Sequence, residues 1–378
     1  MSPIVIVGSG LAGYTLAREL RKLDGCIPIM LITRDDGAVY SKPMLSSAYA
    51  TKRDPHSLIS ASADKIATDL NVTINTRCEV LSINPTERTI NTSHGCLPYC
   101  NLVLALGADP IRPVLAGNAT DNILSVNDLS DYMRFRALAN GKTVIAIIGA
   151  GLIACEFAND FHLAGFQVRI IGRTHYPLQG LIPFEVADAL QTALHDVQWL
   201  CPSIVNAVWK EDKHFILECT NSNVIRAELV LCAIGLSPRT ALAQVAGLRV
   251  DAGISVDNTL QTSFPHIYAL GDCAQIEGRV LPYIMPLMQC ARILAQNLSG
   301  IPSRVIFPHM PIIIKTSVYP IVALPSTLDI TTEWVCEETS KHGLRFVQLD
   351  AQGRIRGFAL SGDKTTQRAS MLGRLAGH

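Results

Sequence analysis

Residues 4–13 read IVIVGSGLAG, and residues 144–154 read VIAIIGAGLIA. Each is a β-branched run that ends in a glycine-spaced turn and continues into a helical pattern. In the first copy Pro3–Val7 has strand length, and Leu11, Ala12, Leu16, Leu20 and Leu23 predict a helix over 11–22. A G-x-G-x-x-G pattern carries meaning only in this setting, between a strand and a helix. Gly8 allows the tight turn, Gly10 lets the backbone approach a pyrophosphate, and Gly13 lets the helix pack close to the strand. The anion then rests on unpaired amides at the helix start, around Ser9, Leu11 and Ala12, where the helix dipole favours it. Ile29–Thr33 is the next strand. The second copy uses Gly149 and Gly151, with Ala154 as a permitted variant in the last place. It comes after strand Val144–Ile148 and opens helix Leu152–Leu163 through Leu152 and Ile153. Gly165 ends that helix, and strand Gln167–Ile171 comes next. Two such units imply two dinucleotides.

An acidic residue at the end of the second strand holds the adenosine ribose in units of this kind. In the first unit that place falls in Ile32-Thr33-Arg34-Asp35. Thr33 takes the strand end, so Asp35 or backbone contacts must serve. In the second unit it falls in Ile171-Gly172-Arg173, where no carboxylate stands. Arg173 suits a 2′-phosphate or is a solvated loop residue, so NADH and NADPH both stay open. Residues 262–272, TSFPHIYALGD, predict a strand over Ile267–Leu270 ending in Gly271-Asp272, an aspartate able to accept a ribityl hydroxyl. Two more strand-to-glycine turns, LVLALGADP (102–110, Gly107) and LVLCAIGLSPRT (229–240, Gly235), mark crossings between domains.

Composition narrows the class. The 378 residues are 48% hydrophobic and 17% charged, enough apolar material for two or three cores. Lysine plus arginine equal aspartate plus glutamate at 32 each, which argues against a nucleic-acid or polybasic membrane protein. The start lacks a secretory pattern, and no apolar stretch reaches the ~20 residues of a membrane span. The eleven cysteines are scattered without a CxxC, and the ten histidines show no ligand spacing. Free thiols, a cytoplasmic location and no metal are expected.

The ordered series GSGLAG, LALGADP, GAGLIACE, AIGLSPR and IYALGDCA resembles the FAD- and NAD(P)H-dependent pyridine nucleotide oxidoreductases of the glutathione-reductase structural family, over about the first 300 residues. The resemblance implies FAD on the first turn, with Asp272, Val80 and Gly107 among its contacts, and NADH or NADPH on the second, bounded by Gly235. Many members pass electrons to a cysteine pair. Here the relevant stretch VYSKPMLSSAYA (39–50) holds no cysteine, and the nicotinamide region offers only Cys155. A flavin releases electrons singly, which suits a one-electron iron carrier. YSKPMLSSAY and LPYIMPLMQCARILAQNL (281–298) are similar to segments of the bacterial NAD(P)H:rubredoxin reductases, so rubredoxin is the implied acceptor, with alkane hydroxylation as its downstream use. A flavorubredoxin or ferredoxin reductase is the alternative. From another class, a NADH-responsive redox-sensing flavoprotein would show slow reoxidation with every carrier. Lys42 is the candidate ammonium beside the reduced flavin, with Glu156 as its charge partner and nicotinamide positioner, and Lys315 also reaches toward the flavin in this reading. Lys42 as a solvated loop residue and Glu156 as an exposed helix-start residue are the plainer alternatives.

The expected fold is α/β: two Rossmann-like dinucleotide-binding domains plus a small α+β C-terminal domain. The FAD domain is placed at 1–108 and 242–306, the NAD(P)H domain at 109–241, and the C-terminal domain at 307–378. That last domain carries short β-rich runs and a final amphipathic helix. A monomer is expected.

Overall fold

The computed structural model describes residues 2–220, 222–326 and 330–376. They form two compact units, one of residues 1–41, 56–109 and 236–308, the other of residues 42–55, 110–235 and 309–378. Segment 42–55, which carries Lys42, thus belongs to the second unit.

The first unit is built on a five-stranded sheet ordered Ile267–Ala269, Asn101–Leu104, Ile4–Val7, Ile29–Ile32, Thr73–Asn75, with every neighbouring pair parallel. A parallel sheet is covered on both faces, which is why IVIV at 4–7 is buried at all four positions. The strand order reverses at Ile4–Val7: the chain passes from it to Ile29–Ile32 on one side and later returns as Asn101–Leu104 on the other, and the glycine turn stands at its C-terminal end. Helix Leu11–Leu23 turns Tyr14, Leu16, Ala17 and Leu20 into the core. Helix Ile284–Leu298 packs against it through Leu287, Ala291 and Leu294, and the Thr15 hydroxyl meets Met288 Sδ at 3.7 Å.

The second unit repeats the plan. Its four-stranded parallel sheet runs Gln198–Leu200, Gln167–Ile171, Val144–Ile148, Leu229–Cys232, and helix Leu152–Leu163 comes directly after the central strand. An antiparallel sheet of Val205–Glu211, His214–Cys219 and Val224–Ala227 accompanies it.

A five-stranded antiparallel sheet follows, ordered Ile312–Ile314, Ile321–Leu324, Ile355–Ser361, Gly343–Asp350, Thr332–Ser340. Helix Arg368–Ala376 lays Met371 and Leu375 onto Val322, Val347, Phe358 and Leu360. The turn between the third and fourth of these strands in space is tied by one carboxylate. Asp350 Oδ1 accepts the amides of Gln352 and Arg354, both at 2.9 Å, while Oδ2 accepts Nε of Arg354 at 2.9 Å and of Arg356 at 2.8 Å. Burial works to raise its pKa. The Arg354 amide, the two guanidinium groups and the Gln352 amide outweigh burial and hold the carboxyl well below the ordinary range.

A depressed carboxylate stabilises the fold above its unfolded pKa of about 3.9, and that contribution is lost as pH falls toward the folded value. Asp350→Asn is therefore expected to lower the urea midpoint at neutral pH. The gap to the unsubstituted chain should shrink once pH drops below about 4. A gap that stays constant across that window contradicts this account of the turn.

Candidate functional site

In the first unit, a Cβ added to Gly8 (φ +117°) would stand 2.2 Å from the Ala105 carbonyl oxygen, and one added to Gly13 would stand 1.9 Å from that of Gly8. Backbone approach alone fixes both as glycine. Gly10 differs, because a Cβ there meets nothing within 4 Å. It opens a helix with no side-chain cap and no acidic residue in its first turn. The first-turn amides, which have no partner inside a helix, therefore face open space between Ser9 and Leu11. An uncapped N-terminus fronted by a glycine is a cradle for a phosphate, and the residues present fit a dinucleotide pyrophosphate.

The expected ribose end of this unit is a connected network. The Ser9 hydroxyl lies 2.8 Å from Thr33 Oγ1 and 3.2 Å from Asp35 Oδ1. Thr33 donates to the same Oδ1 at 2.6 Å, and the Gly37 amide donates to it at 2.9 Å. Asp35, two residues beyond the strand-end Thr33, is thus drawn back beside the glycine turn. Arg34 is exposed and takes no part in this network. At the adjoining strand end Gly271 has φ +77°, and its hypothetical Cβ falls 3.0 Å from Ala12 Cβ, so Gly271-Asp272 packs against the start of the same helix. Val80 lies on strand Val80–Asn84 against the core. The Gly107 carbonyl accepts the Arg239 amide at 3.0 Å, and Arg239 also clasps Asp109 Oδ1 through Nε at 2.8 Å.

In the second unit Gly149 (φ +118°) is held as glycine by the Ala233 carbonyl oxygen, 2.4 Å from a Cβ placed there. Gly151 again faces open space at an uncapped helix start, with no acid in the first turn around Leu152 and Ile153. The carbonyl of Gly235 (φ +128°) accepts the Ile111 amide at 3.0 Å.

One face of helix Leu152–Leu163 is polar although it is buried. Glu156, Asn159 and Asp160 are 1%, 3% and 2% exposed. Glu156 Oε2 accepts the Ser46 hydroxyl at 2.6 Å and the Lys315 ammonium at 2.9 Å, and Oε1 accepts the Lys315 amide at 3.1 Å. Lys315 Nζ also donates to Ser46 Oγ at 3.0 Å and to the Pro43 carbonyl. The ammonium 2.9 Å from Glu156 Oε2 is that of Lys315, whereas the sequence alone points to Lys42 for this place. Lys42 begins the 3₁₀ turn Lys42–Ser47 and is partly buried. One turn on, Asn159 accepts the Val318 amide at 3.0 Å and donates to Ser317 at 3.1 Å, while Asp160 accepts the amides of Tyr49 and Ala50 at 2.8 and 3.0 Å. Burial raises the Asp160 pKa, and the two amides oppose it. The Tyr49 ring seals this arrangement among Phe135, Phe161 and Phe166, with the Arg136 guanidinium 4.6 Å from its centroid. Ser46, Asn159 and Asp160 are not among the residues that the sequence motifs single out. Their signal in the sequence is a set of polar residues at helical spacing, Glu156, Asn159 and Asp160, inside an otherwise apolar helix.

Burial holds the thiols near these turns in the protonated form. Burial drives the pKa of Cys155 far above the ordinary thiol range, raises Cys273 to about 11 and raises Cys290 to about 12. All eleven cysteines are free. Among the described residues, no cluster of three or more histidine, cysteine or acidic side chains is arranged to hold a metal ion.

Two substitutions separate cradle from scaffold. Gly10→Ala should leave the stability of the cofactor-free chain within about 1 kcal/mol while lowering retention of the bound dinucleotide, read as the ratio of cofactor to protein absorbance. Gly13→Ala should cost about 4 kcal/mol or more, because its new methyl overlaps backbone. Asp160→Ala strands two buried amides and should cost about 2 kcal/mol in denaturant unfolding. Equal behaviour of the two glycine variants would refute the distinction drawn between them.

Comparison with known proteins agrees with this geometry. Residues 2–293 match the model of the pyridine nucleotide-disulphide oxidoreductases, and residues 304–375 match that of the rubredoxin-binding C-terminal domain. The rubredoxin-NAD(+) reductase of Alcanivorax borkumensis is 40% identical over 98% of each chain. The nitric oxide reductase FlRd-NAD(+) reductase of Vibrio vulnificus is 35% identical, covering 99% of this chain and 98% of its own. Among solved structures, a ferredoxin reductase from Rhodopseudomonas palustris shares the fold with a TM-score of 0.89 at 23% identity, over 98% of this chain and 93% of its own. Paired glycine turns, the aspartate-ended strand and the family match over most of its length identify the chain as a member of the pyridine nucleotide-disulphide oxidoreductase family.

Proposed function

We propose that the chain carries electrons from NADH through FAD to rubredoxin, two electrons entering as a hydride and leaving one at a time to two rubredoxins. The observation that carries this reading is the succession, in one chain, of a pyridine nucleotide oxidoreductase region at 2–293 and a rubredoxin-binding region at 304–375. FAD, when bound, supplies the ability to accept an electron pair and release single electrons. The sequence has no CxxC, and burial holds the Cys155 thiol protonated.

The chain's own groups bind and orient. Gly8, Gly10 and Gly13 admit the FAD pyrophosphate to the first helix start, Asp35 serves its adenosine ribose and Asp272 its ribityl chain. Gly149 and Gly151 do the same for the nicotinamide dinucleotide. Hydride transfer needs no general base, only close stacking of donor on acceptor. Glu156 positions the nicotinamide. Lys315, fixed by Glu156, Ser46 and Pro43, supplies positive charge where negative charge develops during reduction. In this reading the FAD domain comprises 1–108 and 242–306, the nicotinamide domain 109–241 and the carrier-binding domain 307–378. Among the described residues no helix is long and apolar enough to cross a membrane, and we place the enzyme in the cytoplasm. A flavorubredoxin acceptor is the second reading, favoured by the 35% identical relative from Vibrio vulnificus.

Anaerobic stopped-flow absorbance tests the proposal. Enzyme reduced with one equivalent of NADH is mixed with oxidised rubredoxin and, separately, with a [2Fe–2S] ferredoxin. Rubredoxin should bleach within seconds and ferredoxin far more slowly. Reduced flavin that survives both carriers would overturn the electron-transfer assignment.

A further inference from the structure

We infer that Ser46 is a positioning residue for the electron transfer proposed above. Its hydroxyl holds the Lys315 ammonium as a fixed charge and, through that charge, sets the midpoint potential of the flavin. The inference rests on the reading in which Lys315 supplies positive charge during reduction.

An ammonium carries three N–H donors and no acceptor. At Lys315 three protein acceptors meet them: Glu156 Oε2 at 2.9 Å, Ser46 Oγ at 3.0 Å and the Pro43 carbonyl. The donor count is therefore closed within the protein. A lysine held in this way contributes its charge and keeps no N–H in reserve to follow a ligand. Charge that is fixed before the reaction needs no reorganisation during it.

Ser46 joins the two charged groups because it works in both directions. Its oxygen accepts from the ammonium, and its proton goes to Glu156 Oε2 at 2.6 Å, the length of a charge-assisted bond. The Pro43 carbonyl, 3.3 Å from the hydroxyl, is the weaker claimant on that proton. Glu156 and Ser46 are both buried, so the protein must supply these partners itself. Without the hydroxyl, the carboxylate loses a donor and the ammonium regains a loose N–H.

The place of the hydroxyl is set by its own segment. Leu45 and Ala48 are buried on either side of it, and Asp160 binds the amides of Tyr49 and Ala50. Asp160 stands four residues beyond Glu156, so one face of one helix governs both ends of this stretch. Ser47, in the same 3₁₀ turn, is an internal control. Its hydroxyl bonds the Met44 carbonyl at 3.3 Å, a contact local to the turn. Of two adjacent serines, one touches the charge pair and the other its own backbone.

The test measures the midpoint potential of the FAD-loaded full-length enzyme against a reference dye, a reading independent of turnover. Ser46→Ala should lower the ratio of reduced to oxidised flavin about tenfold at a given potential, equivalent to about 30 mV for a two-electron couple. Ser46→Cys, similar in volume but only a weak donor, should move it the same way. Ser47→Ala, and Ser46→Thr, which keeps the hydroxyl, should stay within about twofold of the unsubstituted chain. Lys315→Met should lower the potential further. In that background Ser46→Ala should add little, since a residue acting through Lys315 has nothing left to act on.

A potential that Lys315→Met shifts and Ser46→Ala leaves in place overturns the inference. So does a Ser46→Ala shift that is undiminished in the Lys315→Met background. A potential unmoved by Lys315→Met removes the flavin role of Lys315 itself, and this inference with it. The ratio of flavin to protein absorbance, taken alongside, shows that each variant retains its cofactor.

Discussion

A carboxylate removed from water must be met by charge and by hydrogen-bond donors, or it takes up a proton or destabilises the fold. Glu156 and Asp160 impose that requirement twice on one helix, and Asn159 adds a neutral version between them. The partners come from two segments far apart in the chain, residues 43–50 and 315–318. The Lys315–Pro43 bond alone links positions 272 apart. One helix face thereby fixes the turn that begins at Lys42 and the end of the strand that leads to Lys315. The helix is itself aimed by the second glycine turn, so the placement of the charge pair descends from the closeness of Gly149 to Ala233.

The two dinucleotide units show what the motif demands and what it leaves free. In both, the first glycine is enforced by a neighbouring carbonyl oxygen, and a side chain at the middle glycine would touch no protein atom. The first requirement is internal to the fold and the second belongs to the ligand. The third position tolerates alanine where geometry permits. Gly13 is jammed against Gly8, whereas Ala154 is buried without exposure in the second copy.

The parallel units are legible in the sequence because a glycine turn, a strand and a helix each leave a local signature. Val144–Ile148, Leu152–Leu163 and Gln167–Ile171 have the bounds that their apolar spacing predicts. The strand expected over Ile29–Thr33 stops at Ile32, since the Thr33 side chain is drawn into the network with Ser9 and Asp35. The partner of Glu156 is not legible. The motifs point to Lys42 and give Lys315 only a place beside the flavin, and it is tertiary packing that brings the Lys315 ammonium to Glu156. Segment 42–50 reads as a loop, yet its place is set by Tyr49 entering an aromatic cluster whose members span residues 135 to 166. In the C-terminal region the strand Thr332–Ser340 lacks a clean alternation to announce it, with a register shift between Cys336 and Glu338 and mostly half-exposed side chains.

The uncapped helix start at Gly10 also bears on how long the chain survives in a cell. A fold that leaves amides unsatisfied at its centre is completed only by the anion it receives, and the unfolded chain has no such cradle. Occupancy therefore draws the population toward the native state by mass action, by about 2.7 kcal/mol when free ligand stands a hundredfold above its dissociation constant. Newly made protein would mature in step with the flavin supply, and scarcity of the cofactor would be felt first as turnover of the polypeptide.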